Sequence, residues 1–294
     1  MQATLIDGKG VAERLRGELR EEIKAVQTTK GTESRPSLAV IIVGSRPDSQ
    51  TYVRMKGKAC EEVGITSLLR ELPETVSQAE LIAVVQELNR TKGVNGILVQ
   101  LPLPGHIQEK DVICAVDPSK DVDGLHPTNM GRLFLKGFEA DFIPCTPQGC
   151  MELLHAYNIQ VSGVSAVVLG RSNIVGLPIA ALLRKADATV TVCHSQTRDI
   201  GTYTRNADIV IAAMGKAKFL TRDMVKPGCT IIDVGINSIP HPTLPGKTKL
   251  VGDVDFEGCK EVAGAITPVP GGVGPMTIAM LLRNTVHSWK RTLG

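Results

Sequence analysis

The chain has 294 residues, a formal net charge of +3, and 43% hydrophobic, 21% charged and 3% aromatic residues. That length exceeds a usual single α/β domain and predicts two, while the average polar-to-apolar balance excludes disordered and fibrous architectures. Without a long basic run or many rings for base stacking, composition argues against a nucleic-acid partner, and apolar runs of strand length argue against a membrane span.

Residues 9–28 set Val11, Leu15, Leu19 and Ile23 four apart with charges between them, which predicts an amphipathic helix. The run SLAVIIVG (37–44) predicts a buried strand, followed by a helix at 49–63, a strand at 66–72, a helix at 77–91 and the strand GILVQL at 96–101. Such alternation predicts a mostly parallel sheet covered on both faces. From 104 to 147 the regular pattern weakens, with Pro, Gly and Asp accumulating in PLPG, DPSKDVDGLHPTNMG and IPCTPQG. A long irregular segment of this kind is read as functional. Alternation resumes with strands near 165–170, 188–193, 208–214, 230–236, 250–254 and 265–269, a second, doubly wound unit. A helix at 275–291 ends the chain and is expected to return to the first domain. The expected domains are therefore 1–147, joined by 275–294, and 148–274.

The opening MQATLIDGKGVAERLRGELREEI has no apolar signal core and carries Glu13, Glu18, Glu21 and Glu22, so a cytosolic address is expected. Seven cysteines without a CxxC pair are read as reduced and mostly buried. The six histidines show no metal-ligand spacing and GRSNI is not a GxSxG elbow, so neither a zinc hydrolase nor a serine esterase is supported and no metal is expected.

In VVLGRSNIVGLP (167–178) a strand runs through a glycine turn into a helix, with only Gly170 and Gly176 of the dinucleotide fingerprint present. Such a turn offers backbone N–H groups and a helix N-terminus to a pyrophosphate, and Gly170 and Ser172 are small enough to permit close approach. An NAD-binding fold places a carboxylate about twenty residues on, at the end of the next strand, to hold the ribose 2′-OH. Here ATVTVC is followed by His194, Ser195, Gln196 and Thr197. Arg171 with Ser195 suits a 2′-phosphate, which favours NADP and disfavours NAD. The plain alternative is that Arg171 is a solvated turn residue.

In SQTYVRMKGKACEEVGI, Tyr52, Lys56, Ala59, Cys60 and Val63 share one helical stripe, and Arg54, Lys58, Glu61 and Glu62 lie mainly on another. A lysine held among apolar groups loses part of its preference for charge, which makes Lys56 a candidate for proton transfer; a snorkelling lysine is the competing reading. Tyr52, one turn earlier, could stack a flat ligand. Gln100 ends the strand GILVQL, where open α/β sheets bind ligands. Asp121 and Asp123 flank a turn in DVDGLHP, and each is open to a turn-stabilising or a ligand-binding reading. ITPVPGGVGPM (266–276) packs three prolines and three glycines into a rigid backbone able to approach a ligand closely.

These segments resemble the bifunctional methylenetetrahydrofolate dehydrogenase/cyclohydrolases. The resemblance is carried by YVRMK (52–56), GILVQLPLP (96–104), KDVDGLHPTNMG (120–131), PCTPQGC (144–150), GRSNIVGLP (170–178), CHSQT (193–197), DVGIN (233–237), VGDVDF (251–256) and TPVPGGVGPMT (267–277). It implies an N-terminal α/β folate and catalytic domain and a C-terminal Rossmann-like doubly wound parallel sheet, with a deep cleft between them, in a homodimer. Lys56 is then the proton-transfer residue of hydrolysis, Gln100 tunes it, Tyr52 stacks on folate and Asp123 holds the pterin edge. Ser49, Val99, Leu101, Pro270, Gly271, Gly272, Val273 and Gly274 are further folate contacts. Gly170, Arg171, Ser172, Ile174, Ser195 and Ile236 are cofactor contacts.

The implied partners are tetrahydrofolate derivatives, with NADP as cofactor, in the purine-supplying part of one-carbon metabolism. The absence of a leader and the CHSQT motif favour the cytosolic NADP form over mitochondrial NAD-using relatives. Two alternatives stand beside this reading: a dehydrogenase without hydrolysis, and a catalytically silent folate or NADP sensor. The sensor's expected sign is loss of Lys56 or Gln100, and both are present. The segment SIPHPTLPGKTK after DVGIN is expected to be a surface loop.

Overall fold

Strand β1 (Thr4–Leu5) and helix α1 (Gly8–Lys30) precede SLAVIIV, which forms β2 (Ser37–Val43) with all seven residues buried. The computed structural model describes residues 3–241, 243 and 246–294. After β2 come α2 (Pro47–Val63), β3 (Thr66–Leu72), α3 (Gln78–Arg90), β4 (Gly96–Val99), α4 (Glu109–Ala115), α5 (Pro127–Phe134) and α6 (Cys145–Ala156). The second half runs β5 (Ser165–Leu169), α7 (Gly176–Lys185), β6 (Thr189–Cys193), α8 (Ile200–Thr204), β7 (Ile209–Ala212) and β8 (Thr230–Asp233). It ends with β9 (Asn237–Pro240), β10 (Thr248–Val251), α9 (Phe256–Lys260), β11 (Ala265–Ile266) and α10 (Val273–Arg291).

The chain forms two compact units. The first joins Glu13–Cys145 to Ile278–Gly294 and the second joins the residues through Ala12 to Thr146–Thr277, so the backbone crosses between them within α1, at the start of α6 and within α10. The first unit holds a parallel sheet of order β3-β2-β4. Because β2 is central and covered on both faces, every position is apolar or small; Ala39, Ile41 and Val43 join Leu81, Val85 and Leu88 of α3 in one core, and Leu38, Val40 and Ile42 point the other way. Helix α3 starts at a reciprocal capping box, Ser77 with Glu80, the S-x-x-E signature. In the same unit α10 is anchored by three buried polar side chains. Asn284 Nδ2 donates to the Val122 carbonyl at 2.8 Å, Ser288 Oγ to that of Asn95 at 2.6 Å, and Trp289 Nε1 to Ser34 Oγ at 3.0 Å.

The second unit is a six-stranded parallel sheet of order β1-β11-β8-β7-β5-β6. Counted from β5, chain order places β6 on one side of β5 and β7, β8 and β11 on the other, the arrangement of a doubly wound fold. The reversal between β5 and β7 is the point where such sheets bind ligands beyond their carboxyl ends.

Three expectations need correction. The stretch 104–147 contains α4 and α5 and leads into α6; Pro127 is a helix starter, opening α5 behind His126, whose ring Nδ1 accepts from Thr128 N at 3.1 Å. The strand expected at 250–254 is β10, which leaves the main sheet to pair antiparallel with β9, Val251 opposite Asn237. Residues 238–240 and 248–249 of the expected loop SIPHPTLPGKTK are thus the two sides of a ribbon, while its Pro242, Leu244 and Pro245 lie outside the described residues. Among the described residues, no helix is long and apolar enough to cross a membrane.

Candidate active site

Helix α2 begins with Pro47 at its first turn and ends at Gly64, whose φ of 88° is the left-handed cap that glycine adopts without a Cβ clash. Between them Ser49, Val53, Lys56, Cys60 and Val63 form the buried stripe, at steps of three and four residues. Lys56 is therefore placed by helix periodicity among apolar neighbours, with 9% of its surface exposed. Tyr52 stands at the margin of the stripe, about a third exposed, rather than within it.

The Lys56 ammonium has a specific partner. Its Nζ donates to Gln100 Oε1 at 2.9 Å, and Gln100 Nε2 donates to the Leu101 carbonyl at 2.8 Å, which fixes the amide so that its oxygen faces the lysine. Gln100 is set just past the end of β4, where its backbone N–H continues the ladder to Ile41 O at 2.8 Å. Burial holds the Lys56 pKa below its ordinary value, and the charge of Asp123 partly opposes that shift. Asp123 in turn is pushed up by burial and drawn down by Lys56 and by a hydrogen bond with the Cys145 thiol.

The two aspartates of DVDG divide the two readings between them. Asp121 is buried and spends its carboxylate on the turn, accepting from Leu125 N at 3.1 Å, His126 N at 2.8 Å and Asn129 Nδ2 at 2.8 Å. Burial still pushes it up to about 6. Asp123 instead shares a hydrogen bond with the Cys145 thiol and is electrostatically coupled to Lys56. Between Asp123 and Leu125, Gly124 has φ 74° and no room for a side chain, since a Cβ would lie 2.5 Å from Ile143 C. Lys56, Gln100 and Asp123 are thus brought together, with Ser49 and Tyr52 on the preceding turns of α2 and Val99 and Leu101 flanking Gln100.

Cys60 and Cys145 lie beside this cluster as neutral thiols: burial raises Cys60 to about 12 and raises Cys145 well above the ordinary thiol value. All seven cysteines are free, and six are buried.

In the second unit, Gly170, Arg171, Ser172, His194, Ser195 and Met214 are among the residues lining an open cavity of about 720 Å³ beyond the carboxyl ends of β5, β6 and β7. This is the sheet's reversal point. Gly170 has φ 120° and a Cβ there would sit 2.1 Å from Ala213 O, while one on Gly176 would meet Gly170 O at 2.4 Å. Both positions therefore exclude side chains. Ser172 Oγ accepts from Val175 N at 3.2 Å and Gly176 N at 3.3 Å, which leaves its hydroxyl hydrogen as a donor. Arg171 and Ser195 are exposed and share the cavity. Asp199 also lines it, six residues past β6, but is engaged by Thr202 Oγ1 and by Arg205.

Ile236, 49% exposed, stands 3.9 Å from the position of a Cβ on Gly274, so a residue expected at the cofactor and the loop 270–274 are neighbours in this unit. Ile174 is exposed on the turn before α7. Sequence reasoning missed Ala213, Met214 and Lys216 of the turn after β7, which line the cavity. The available signal was strand order: in a doubly wound sheet the strand beside β5 contributes the next loop to the reversal point.

Comparison with known proteins finds two family models on this chain. Residues 6–123 match the tetrahydrofolate dehydrogenase/cyclohydrolase catalytic domain, and residues 144–293 match the NAD(P)-binding domain of the same proteins. The chain is 56% identical over 292 residues to "Bifunctional protein FolD 2" of Arabidopsis thaliana, covering 99% of this chain and 97% of that one. Its structure is similar to the crystal structure of the bifunctional FolD methylenetetrahydrofolate dehydrogenase/cyclohydrolase from Campylobacter jejuni, with TM-score 0.92, 51% identity and 99% of each chain covered. A Trypanosoma brucei methylenetetrahydrofolate dehydrogenase-cyclohydrolase, complexed with NADP cofactor and an inhibitor, gives TM-score 0.95 and 42% identity, also with 99% of each chain covered.

Proposed function

Because the chain belongs to the tetrahydrofolate dehydrogenase/cyclohydrolase family, we propose that Lys56, Gln100 and Asp123 carry its hydrolytic step and that the cavity at Arg171 and Ser195 holds NADP. The protein is a bifunctional enzyme: it oxidises 5,10-methylenetetrahydrofolate to the 5,10-methenyl form and hydrolyses that to 10-formyltetrahydrofolate. The observation that carries the site assignment is the 2.9 Å contact from a buried lysine to a glutamine whose own orientation is fixed.

In hydrolysis, water attacks the one-carbon bridge of the methenyl cation and a proton must leave it. The neutral amine of Lys56 accepts that proton; the ammonium so formed gives it to N5 as the bond between the bridge carbon and N5 breaks. The hydroxyl proton passes to solvent and leaves the formyl group on N10. Gln100 Oε1 accepts a hydrogen bond from the amine in either protonation state and so holds its lone pair or its proton on one axis. Asp123 faces the amino-pyrimidinone edge of the pterin as a paired acceptor. Tyr52, exposed at the stripe margin, stacks on the aminobenzoyl ring, and Ser49, Val99 and Leu101 complete the folate contacts of the first unit.

The second-unit cavity suits a dinucleotide in volume, lining and place: about 720 Å³ falls within the usual range for small-molecule pockets. Bound there, NADP supplies the hydride acceptor at nicotinamide C4. Arg171 and Ser195 hold the 2′-phosphate, Gly170 and Ser172 receive the pyrophosphate at the start of α7, and Ile174 and Ile236 pack on the cofactor. Oxidation needs no acid from the protein, since the folate nitrogens stabilise the cation; alignment of the two rings is its task.

The same reading carries a homodimer working in the cytosol, with 10-formyltetrahydrofolate directed to purine synthesis; sedimentation and cell fractionation test these. The cofactor assignment is tested by steady-state kinetics with methylenetetrahydrofolate and either NADP or NAD. Arg171→Ala should weaken NADP about 10- to 100-fold, the loss of a charged hydrogen bond, and weaken NAD far less. Equal losses for both cofactors would contradict it.

A further inference from the structure

The motifs DVGIN and VGDVDF contain two buried aspartates, Asp233 and Asp253, that neither reaction step uses. Asp233 ends β8 and accepts from Gly235 N at 3.0 Å, Asp253 N at 2.9 Å and Val254 N at 3.0 Å. It therefore holds the backbone that presents Asp253. Asp253, none of whose surface is exposed, spends one carboxylate oxygen on two adjacent N–H groups, Met214 at 2.7 Å and Gly215 at 2.8 Å. Its other oxygen accepts from Asn237 Nδ2 at 2.8 Å.

Those three partners lie where the cofactor is expected. Ala213, Met214 and Lys216 line the cavity at the sheet's reversal point, and Asn237 follows Ile236 directly. The glycines of both motifs make room for the interlock: a Cβ on Gly252 would lie 1.7 Å from Asp233 Oδ2, and one on Gly235 would lie 2.3 Å from Asp253 Oδ1. A carboxylate is suited to this task because one oxygen can take two adjacent N–H donors at once at the carboxyl end of β7.

We propose that Asp253 is a positioning residue for the cofactor: it ties the turn after β7 and the segment Ile236–Asn237 into one rigid wall of the dinucleotide cavity. The inference rests on NADP occupying that cavity, and Arg171→Ala, run in parallel, tests that premise separately. Asp253→Ala should raise KM for NADP and for NAD alike by about tenfold or more, because two N–H groups lose their acceptor. Hydrolysis of supplied methenyltetrahydrofolate without cofactor, whose proposed proton-transfer groups Lys56, Gln100 and Asp123 lie in the first unit, should keep the parent rate. Asp253→Asn keeps one oxygen for the N–H pair, and Asn237 can turn its amide to match, so KM should return to within about threefold of the parent. Should Asp253→Ala fail to fold, Asn237→Ala removes the third bond alone and should raise both KM values by a smaller factor.

An unchanged KM in Asp253→Ala, or in Asn237→Ala where that variant stands in, overturns the proposal. Hydrolysis that falls in step with oxidation, or Asp253→Asn as impaired as Asp253→Ala, also overturns it. If Arg171→Ala weakens NADP and Asp253→Ala does not, the cavity assignment survives and the role of Asp253 fails. If neither variant changes cofactor binding, both fail.

Discussion

Lys56 owes its chemistry to two local conditions, burial that disfavours the ammonium and a nearby carboxylate that favours it, with burial the larger. In the proposed mechanism the neutral amine is the base, so hydrolysis should rise with pH through the folded pKa of Lys56, which lies below the ordinary 10.5. Asp123→Asn removes the charge that raises that pKa, and the inflection should move to lower pH. Rates of methenyltetrahydrofolate hydrolysis across pH check this; an unmoved or upward-moved inflection would show that the two groups are not coupled. The stripe containing Lys56 was legible from helical spacing alone, as was Gln100 at a strand end. The division of labour between Asp121 and Asp123 was not legible from the turn that both flank; the family resemblance singled out Asp123, and the hydrogen bonds from Leu125, His126 and Asn129 show that Asp121 serves the turn.

At the scale of elements, the start of α1 braces the loop at 268–274. Lys9 N donates to Gly271 O at 2.9 Å, Asp7 N donates to the Tyr157 hydroxyl at 2.7 Å, and a Cβ on Gly8 would lie 1.9 Å from Gly272 O. Backbone against backbone leaves no flexible group to yield. Gly8→Ala should therefore displace the loop and destabilise the protein by about 1–3 kcal/mol, the usual cost of overpacking. Thermal unfolding and KM for methylenetetrahydrofolate should both respond, and a variant indistinguishable from the parent would show that the loop is not braced there.

Regular elements were read well where period and punctuation agree, as in β2, α2 and β3. They were misread where proline and glycine serve helix starts, as at Pro127, or where a strand leaves its sheet. Nothing in the composition of β10 distinguishes an antiparallel ribbon from a sheet strand; its pairing with β9 does.

For the whole molecule, neither unit is contiguous in sequence, since β1 joins the six-stranded sheet and the later part of α10 belongs with the three-stranded one. Local pattern could not place β1: two residues carry no period, and their parallel pairing, Thr4 with Ala265 and Leu5 with Ile266, spans nearly the whole chain. The polar anchors of α10 were equally silent in sequence, because Asn284, Ser288 and Trp289 bond to carbonyls and a hydroxyl far away in the chain.

The proposed function assigns hydrolysis and cofactor binding to different residues, and Lys56→Ala tests that assignment most directly. Methylenetetrahydrofolate and NADP are supplied to the variant while reduced cofactor and the methenyl product are followed together by absorbance. The expected result is continued formation of NADPH with accumulation of methenyltetrahydrofolate, its enzymatic hydrolysis lower by about 10²-fold or more. Decay of the methenyl product at the parent rate would contradict the role of Lys56.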